Sequence, residues 1–220
     1  YRRWAATRLR QCNEWIGEWA TSDMFAGIAG MSAEEAWYST ALHLERARLQ
    51  GKPATGASVD IHKCFDQLVR DLLYEILEES GCPDELLIAY KSFLENLLVH
   101  NFINGHVGQG HLHRCGIPQG CPLSMPFVSL LLRAWALLVR EKECKPRSLA
   151  DDLLILAIGD GHARKMSDAL DVTLTYFADM GGKVAAKKPM GFSTCEATRK
   201  WLARKRWTPI NGGIRVASHF

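Results

Sequence analysis

Two adjacent carboxylates, Asp151 and Asp152, interrupt an otherwise apolar run, with Leu149-Ala150 before them and Leu153-Leu154-Ile155-Leu156 after. Burying charged carboxylates in such surroundings is costly unless cations offset them. The run therefore reads as two short apolar strands joined by an acidic turn, where both side chains can reach one sheet edge. A further carboxylate, Asp60, lies where another short strand ends at Val59–Ile61, with Asp66 six residues later. If these strands are neighbours, Asp60, Asp151 and Asp152 converge. That is enough to hold two Mg²⁺ ions, hard cations that prefer oxygen and share phosphate oxygens with a substrate. Taken alone, the Asp-Asp pair also fits a plain turn between strands.

The rest of the chain supplies a frame for that sheet. Residues 1–50 read as helical, with Ser32 before Glu34 and Glu35 as a helix start. Gly51–Gly56 breaks the helical pattern ahead of the first strand. Leu68, Leu72, Leu73, Ile76 and Leu77 form one helical face, closed by Gly81 and Pro83, and a second helix is expected from about Asp84 to Leu98. Asn104-Gly105 between Phe102-Ile103 and His106-Val107 predicts a hairpin. CGIPQGCPLS is a Gly/Pro loop ending at Ser124, read as the N-cap of an apolar helix. A helix through Met166, Leu170, Leu174 and Phe177 ends at Gly181-Gly182, and short strands and turns around a basic helix follow. This order describes an α+β fold, an antiparallel sheet backed by helices.

Charge is informative in its distribution rather than its sum. The net charge is only +3, yet Asp60–His100 carries nine acids against three bases, and Lys183–Arg215 nine bases against one acid. The basic tail suits a polyanion, with Trp201 and Trp207 able to stack on bases or to cover a core. Its 220 residues, 47% of them apolar, suffice for one sizeable core and argue against disorder. No apolar run is long enough to span a bilayer. The basic start YRRWAATRLR lacks an apolar signal core, so no export signal is read. Seven scattered cysteines without a C-x-x-C pair suggest reduced thiols in an intracellular protein. His111, His113 and Cys115 have metal-ligand types, but alternation along a hairpin strand accounts for their spacing equally well.

Four segments together resemble a known family. DIHKCFD (Asp60–Asp66) resembles the first acidic motif of reverse transcriptases, CGIPQGCPLS (Cys115–Ser124) their G-x-P-Q-G-x-P-L-S loop, LADD (Leu149–Asp152) their Y/F-A-D-D box, and GGKVAAKKP (Gly181–Pro189) the motif in which a lysine follows a helix. They occur in the family's order and spacing. The resemblance implies a right-hand polymerase palm over residues 57–220, with partial helical fingers over 1–56 and a fingers-type insertion near 84–115. The end of the chain, GGIRVASHF, resembles the approach to a primer-grip hairpin with no thumb behind it, so a piece of a larger protein is expected.

The same resemblance implies roles. Asp60 and Asp151 are the principal metal ligands with the Ile61 carbonyl, and Asp152 completes the acidic cluster. Phe65 takes the place of the aromatic gate that excludes a ribose 2′-hydroxyl, which favours DNA as product. Gln119, Gly120 and the surrounding backbone pack against nucleotide and template. Lys188, or its neighbour Lys187, corresponds to the lysine that protonates departing pyrophosphate. Lys63 and Asp66 are expected to form a structural pair. YRRW (Tyr1–Trp4) resembles the Y-R-P-I segment whose arginine reaches the triphosphate, which makes Arg2 a phosphate ligand. The implied activity is RNA-directed DNA synthesis from dNTPs on a DNA primer and RNA template, with two Mg²⁺ ions that Mn²⁺ can replace. Retrotransposons lacking long terminal repeats are the nearest style, then group II intron enzymes; a eukaryotic retroelement would place the protein in the nucleus. Leu149, Met125 and Ala185 depart from the usual aromatic, proline and asparagine. The rival readings are an RNA-dependent RNA polymerase and a palm kept as a non-catalytic nucleic-acid-binding or structural module.

Overall fold

The computed structural model describes residues 1–184 and 189–218. Its helices are α1 (Arg2–Gln11), α2 (Asn13–Trp19), α3 (Ala33–Leu49), α4 (Cys64–Gln67), α5 (Arg70–Glu79), α6 (Asp84–Glu95), α7 (Ser124–Glu141), α8 (His162–Asp179) and α9 (Glu196–Arg204). The strands are β1 (Ala54–Asp60), β2 (Leu98–Val99), β3 (Phe102–Ile103), β4 (His106–Val107), β5 (His111–Leu112), β6 (Lys145–Leu149), β7 (Asp152–Ile158), β8 (Met190–Ser193) and β9 (Arg215–Val216).

Five strands form the main sheet in the order β6-β7-β1-β8-β9. Every pairing is antiparallel except the last, since β9 returns parallel to β8. The two faces of this sheet are unlike. Ser148, Val59, Leu153 and Ile155 are buried on one face, in the core that α5, α7 and α8 complete with Leu73, Leu132, Trp135 and Leu170. Trp135 satisfies its indole N–H within that core by donating to the Thr173 hydroxyl at 2.9 Å.

The opposite face carries Ser58, Asp60, Asp152 and Leu154, none of them buried. Helix α3 crosses one end of it. Leu44 and Ala47 settle on Ala54, Leu156, Ile158 and Phe192, making a second small core. The absence of a side chain at Gly56 is required there, because a Cβ would stand 2.4 Å from the Phe192 ring. The start of α3 is secured by a capping box, in which Glu35 N donates to Ser32 Oγ and Ser32 N donates to the Glu35 carboxylate.

Several local expectations need correction. Ser124 does not cap α7 but is its first residue; its hydroxyl turns back to donate to the Pro118 carbonyl at 2.9 Å. Helix α6 stops at Glu95, and Leu98-Val99 leaves it to pair with His111-Leu112. Cross-strand pairing thus overrides the helical pattern at that end. The Asn104-Gly105 hairpin forms as expected, with positive φ at both residues. Trp207 is a core residue, whereas Trp201 remains 43% exposed; the Lys205 ammonium lies over both rings, 5.3 and 5.4 Å from their centres. Among the described residues no helix is long and apolar enough to cross a membrane.

Candidate active site

Strand β1 ends and β7 begins at the same sheet edge, with Asp60 directly across from Asp152. Side chains directly opposite in an antiparallel pair leave the sheet on the same face. The β6–β7 hairpin turns through Ala150 and Asp151 alone, with Leu149 paired to Asp152. Ala150 accepts a left-handed φ of +55° to make that turn, a conformation an L-residue keeps only where its surroundings hold it. Asp151 is tied to the neighbouring strand, since Ile61 N reaches its carbonyl at 3.4 Å. The sheet therefore gathers Asp60, Asp151 and Asp152 at one edge, while Asp151 occupies the turn, one place outside the strand rows.

Like charges facing each other across a sheet destabilise it unless something positive intervenes. The negative field is felt behind the site, where burial, followed by Asp151 and then Asp60, pushes the Cys64 thiol up to about 12. Among the described residues no three His, Cys, Asp or Glu side chains are grouped so that they could hold a metal ion by themselves. An open group of oxygen donors at the edge of a cleft suits a hard divalent ion that keeps waters and substrate phosphates among its ligands. That cleft has a volume of about 760 Å³ and lies between α3 and the open sheet face, lined by Asp60, Asp152, Leu149, Leu154 and Trp37.

The loop from Cys115 to Leu123 is held against α4, beside the carboxylates. The chain enters α4 through Lys63 at φ +48°. Ile117 N then donates to the Phe65 carbonyl at 2.7 Å and Gly116 N to the Leu68 carbonyl at 2.8 Å. Gly116 needs to be glycine twice over. Its φ is +81°, and a Cβ would stand 2.7 Å from the Asp66 carbonyl oxygen and 2.8 Å from that of Phe65. Gln119 faces Asp66, 3.4 Å from amide nitrogen to carboxylate. Asp66 thus turns to the loop rather than to Lys63, with which it shares only a backbone turn.

Arg2 also belongs to this neighbourhood. A Cβ on Gly120 would lie 4.0 Å from its guanidinium. Tyr1 anchors the segment by stacking on Phe93, with ring centres 3.5 Å apart, and by a 3.3 Å contact between its hydroxyl and the Cys121 sulfur. Phe65 is half-buried and packs against the main core. Lys187 and Lys188 lie outside the described residues. His111 and His113 have ring centres 4.8 Å apart, but the Cys115 thiol points elsewhere, to the Asp66 carbonyl at 3.4 Å.

The sequence reading missed Arg70. It is buried, and it donates to the Gly116 carbonyl at 2.8 Å and to the Leu94 carbonyl at 2.9 Å, with Glu95 3.5 Å away. One signal was present: it is the sole arginine in the acidic stretch Asp60–His100.

Comparison with known proteins agrees with this geometry. The family described as "Reverse transcriptase (RNA-dependent DNA polymerase)" matches residues 4–203. The Retrovirus-related Pol polyprotein from type-1 retrotransposable element R2 of Popillia japonica is 24% identical over 174 residues, covering 74% of this chain. The chain spans only 28% of that polyprotein. Among solved structures, apo telomerase from Candida tropicalis truncated from the C-terminal domain superposes with a TM-score of 0.65 at 14% identity, over 86% of this chain and 40% of that one. Candida tropicalis telomerase in complex with a fragment of telomeric RNA gives the same score and identity over 87% and 34%. These likenesses establish the fold, an α+β arrangement shared with telomerase.

Proposed function

The chain belongs to the reverse transcriptase family, and on that premise we propose that it carries an RNA-directed DNA polymerase centre that adds dNTPs to a primer 3′-hydroxyl. The observation that carries this reading is the register that sets Asp60 opposite Asp152, with Asp151 in the adjoining turn. Residues 57–220 then serve as palm and 1–56 as part of the fingers, with 84–115 as an insertion of fingers type.

Asp60 and Asp151, with the Ile61 carbonyl, would hold two divalent ions, and Asp152 would complete the negative cluster. When bound, Mg²⁺ or Mn²⁺ stabilises charge on the phosphates and lowers the pKa of the attacking hydroxyl. The protein's own groups position and select. The backbone of Gly116–Gly120, pinned by Arg70 and by the Phe65 and Leu68 carbonyls, offers a close-approach surface to base and template. Gln119 is oriented by Asp66. Phe65 narrows the space beside the sugar and excludes a 2′-hydroxyl. Arg2, next to Gly120, meets the triphosphate, and Lys188 donates a proton to departing pyrophosphate. RNA template, DNA primer and the remaining domains of a larger polyprotein are the partners this implies.

Primer extension on an RNA template with Mg²⁺, comparing dNTPs with NTPs, tests the reading. Extension with dNTPs alone is expected. The D151N chain should lose at least about a hundredfold in single-turnover rate, the scale of removing one charge-stabilising group. Extension by D151N at the unaltered rate would rule the mechanism out.

A further inference from the structure

A second cavity, of about 700 Å³, lies outside the carboxylate cleft, beside the edge strand β6. The loop after α2 closes one side of it. Ser148 N donates to the Asp23 carbonyl and Phe25 N to the Ser148 carbonyl, both at 2.9 Å. Helix α3 divides the two hollows. Its Ala36, Trp37 and Thr40 line the cleft, whereas Glu35, Ser39 and His43, four residues apart and so on one face, line this cavity.

The charge of the cavity is uneven. Lys145 and Arg147 stand two residues apart on β6 and leave it on the same face, about 7 Å from each other along the strand. Among the described residues neither has a carboxylate at ion-pair distance. The acids of the cavity are already engaged: Asp23 by Arg140, Glu143 by Lys165 at 2.7 Å, and Glu35 by Ser32 N at 3.1 Å.

Arg147 is held in place yet incompletely bonded. It is half-buried, donates from Nε to Thr40 Oγ1 at 2.7 Å, and lies over the Phe25 ring, 5.9 Å from its centre. Its second terminal nitrogen, Nη2, is 3.1 Å from His43 Nδ1, but Nδ1 is also 2.6 Å from the Ser39 carbonyl. A carbonyl only accepts, so Nδ1 carries the proton and has no lone pair left for Arg147. Nη2 therefore meets a donor where it needs an acceptor, and Nη1 finds only the Pro146 carbonyl at 3.4 Å. Burial pulls the Arg147 guanidinium below its usual range, and Asp23 offsets only part of that. Burial, opposed by the Ser39 carbonyl and reinforced by Lys145, Arg147 and Arg46, also holds His43 below its usual 6.5. The imidazole is thus neutral at pH 7 and leaves the positive charge of the site to Lys145 and Arg147.

We propose that this cavity binds a phosphate group, with Arg147 Nη2 and the Lys145 ammonium as its donors. A tetrahedral oxyanion offers one oxygen to the oriented guanidinium and another to the ammonium, and its charge approaches that of the two cations together. The assignment is independent of the polymerase reading, since α3 stands between this cavity and the cleft that Asp60 and Asp152 line. Free phosphate and the phosphate of a nucleic-acid backbone share this chemistry, and the test separates them.

The 220-residue chain and its K145Q, R147K and R204Q variants are titrated calorimetrically with inorganic phosphate in low-chloride buffer, and by fluorescence anisotropy with a labelled RNA oligonucleotide over a salt series. R147K keeps the charge but loses the fork, and should weaken the bound anion about tenfold. K145Q should weaken it about threefold, the scale of one exposed charge pair. R204Q removes an exposed arginine of α9, which packs on β8 and β9 at the opposite sheet edge, and should change nothing in the phosphate titration. Lys145 is exposed, so K145Q decides the matter if R147K loses the circular dichroism of the unaltered chain. Weakened phosphate binding with unchanged RNA binding in K145Q supports a site for free phosphate. Weakened RNA binding in K145Q, with a salt slope flatter by about one, supports a site for the nucleic-acid backbone. If K145Q and a folded R147K bind both probes as R204Q does, or if the unaltered chain binds neither, the site is overturned.

Discussion

Arg70, at the first position of α5, donates to the backbone carbonyl of Gly116, 46 residues away in sequence, at 2.8 Å. With only 4% of the residue exposed, this guanidinium holds the glycine loop against the helix that follows the first acidic motif. It also reaches the end of α6 through the Leu94 carbonyl and lies near Glu95, which accepts from the Tyr74 hydroxyl at 2.8 Å. The glycine loop, α5 and the end of α6 are therefore joined by one side chain.

Replacing it should be expensive. R70M fills much of the volume but leaves the buried Gly116 carbonyl without its donor and the Leu94 carbonyl with Leu97 N alone, at 3.3 Å, so a loss of about 1–3 kcal/mol is expected. Urea denaturation followed by circular dichroism measures this. A loss below about 0.5 kcal/mol would mean the guanidinium contributes little.

Glycine substitutions separate conformational need from mere tolerance. G116A meets both a left-handed backbone and oxygen atoms under 3 Å away, and should destabilise by more than about 2 kcal/mol. G17A lies within α2 with nothing within 4 Å of the new methyl, and should stabilise by about 0.5–1 kcal/mol. Thermal melts of the two proteins should move in opposite directions.

Phe65 is the residue on which sugar selection is expected to depend. F65V keeps an apolar side chain against the core while opening space. The ratio of dNTP to NTP incorporation should fall about tenfold or more, a scale set by shape alone in a binding pocket. An unchanged ratio, with extension intact, would remove Phe65 from that role.

The buried thiols set an alkaline limit. Burial comes first among the causes that push Cys64, Cys82 and Cys144 from a usual 9.0 up to about 12. Above pH 9 the unfolded chain therefore sheds protons that the folded chain keeps. Their stabilising contribution is complete below pH 9 and drains away as pH rises towards 12. The urea midpoint should decline over that window, and less steeply in C82A. At pH 8 a thiol reagent should label exposed Cys115 well before these three. Early labelling of Cys64 would contradict its burial.

Much of this architecture could be read from residues in series. The apolar flanks of Asp151-Asp152 announced a hairpin because a run of that kind is affordable only as paired strands. Asn104-Gly105 announced a turn because few other residues accept positive φ twice. Ser32 and Glu35 announced a helix start because their chemistry is local. The acidic and glycine motifs carried the family for the same reason, since each is a contiguous segment whose residue types answer a nearby need.

What the chain order could not contain was pairing between distant segments. Leu98 follows a helical pattern, yet it lies in a strand because Leu112 stands opposite it. Trp201 and Trp207 look alike in the sequence, and only the packing of the last segment buries one and exposes the other. Arg70 gives no local sign that its partner is Gly116. The row Arg147–Leu154–Ser58–Met190–Arg215 across the open face exists solely because five strands from four parts of the chain adopt one register. Local chemistry determined which residues could bear charge, turn or cap. The tertiary fold alone decided which of them meet, because hydrogen-bond register and close packing act through space and are indifferent to separation along the chain.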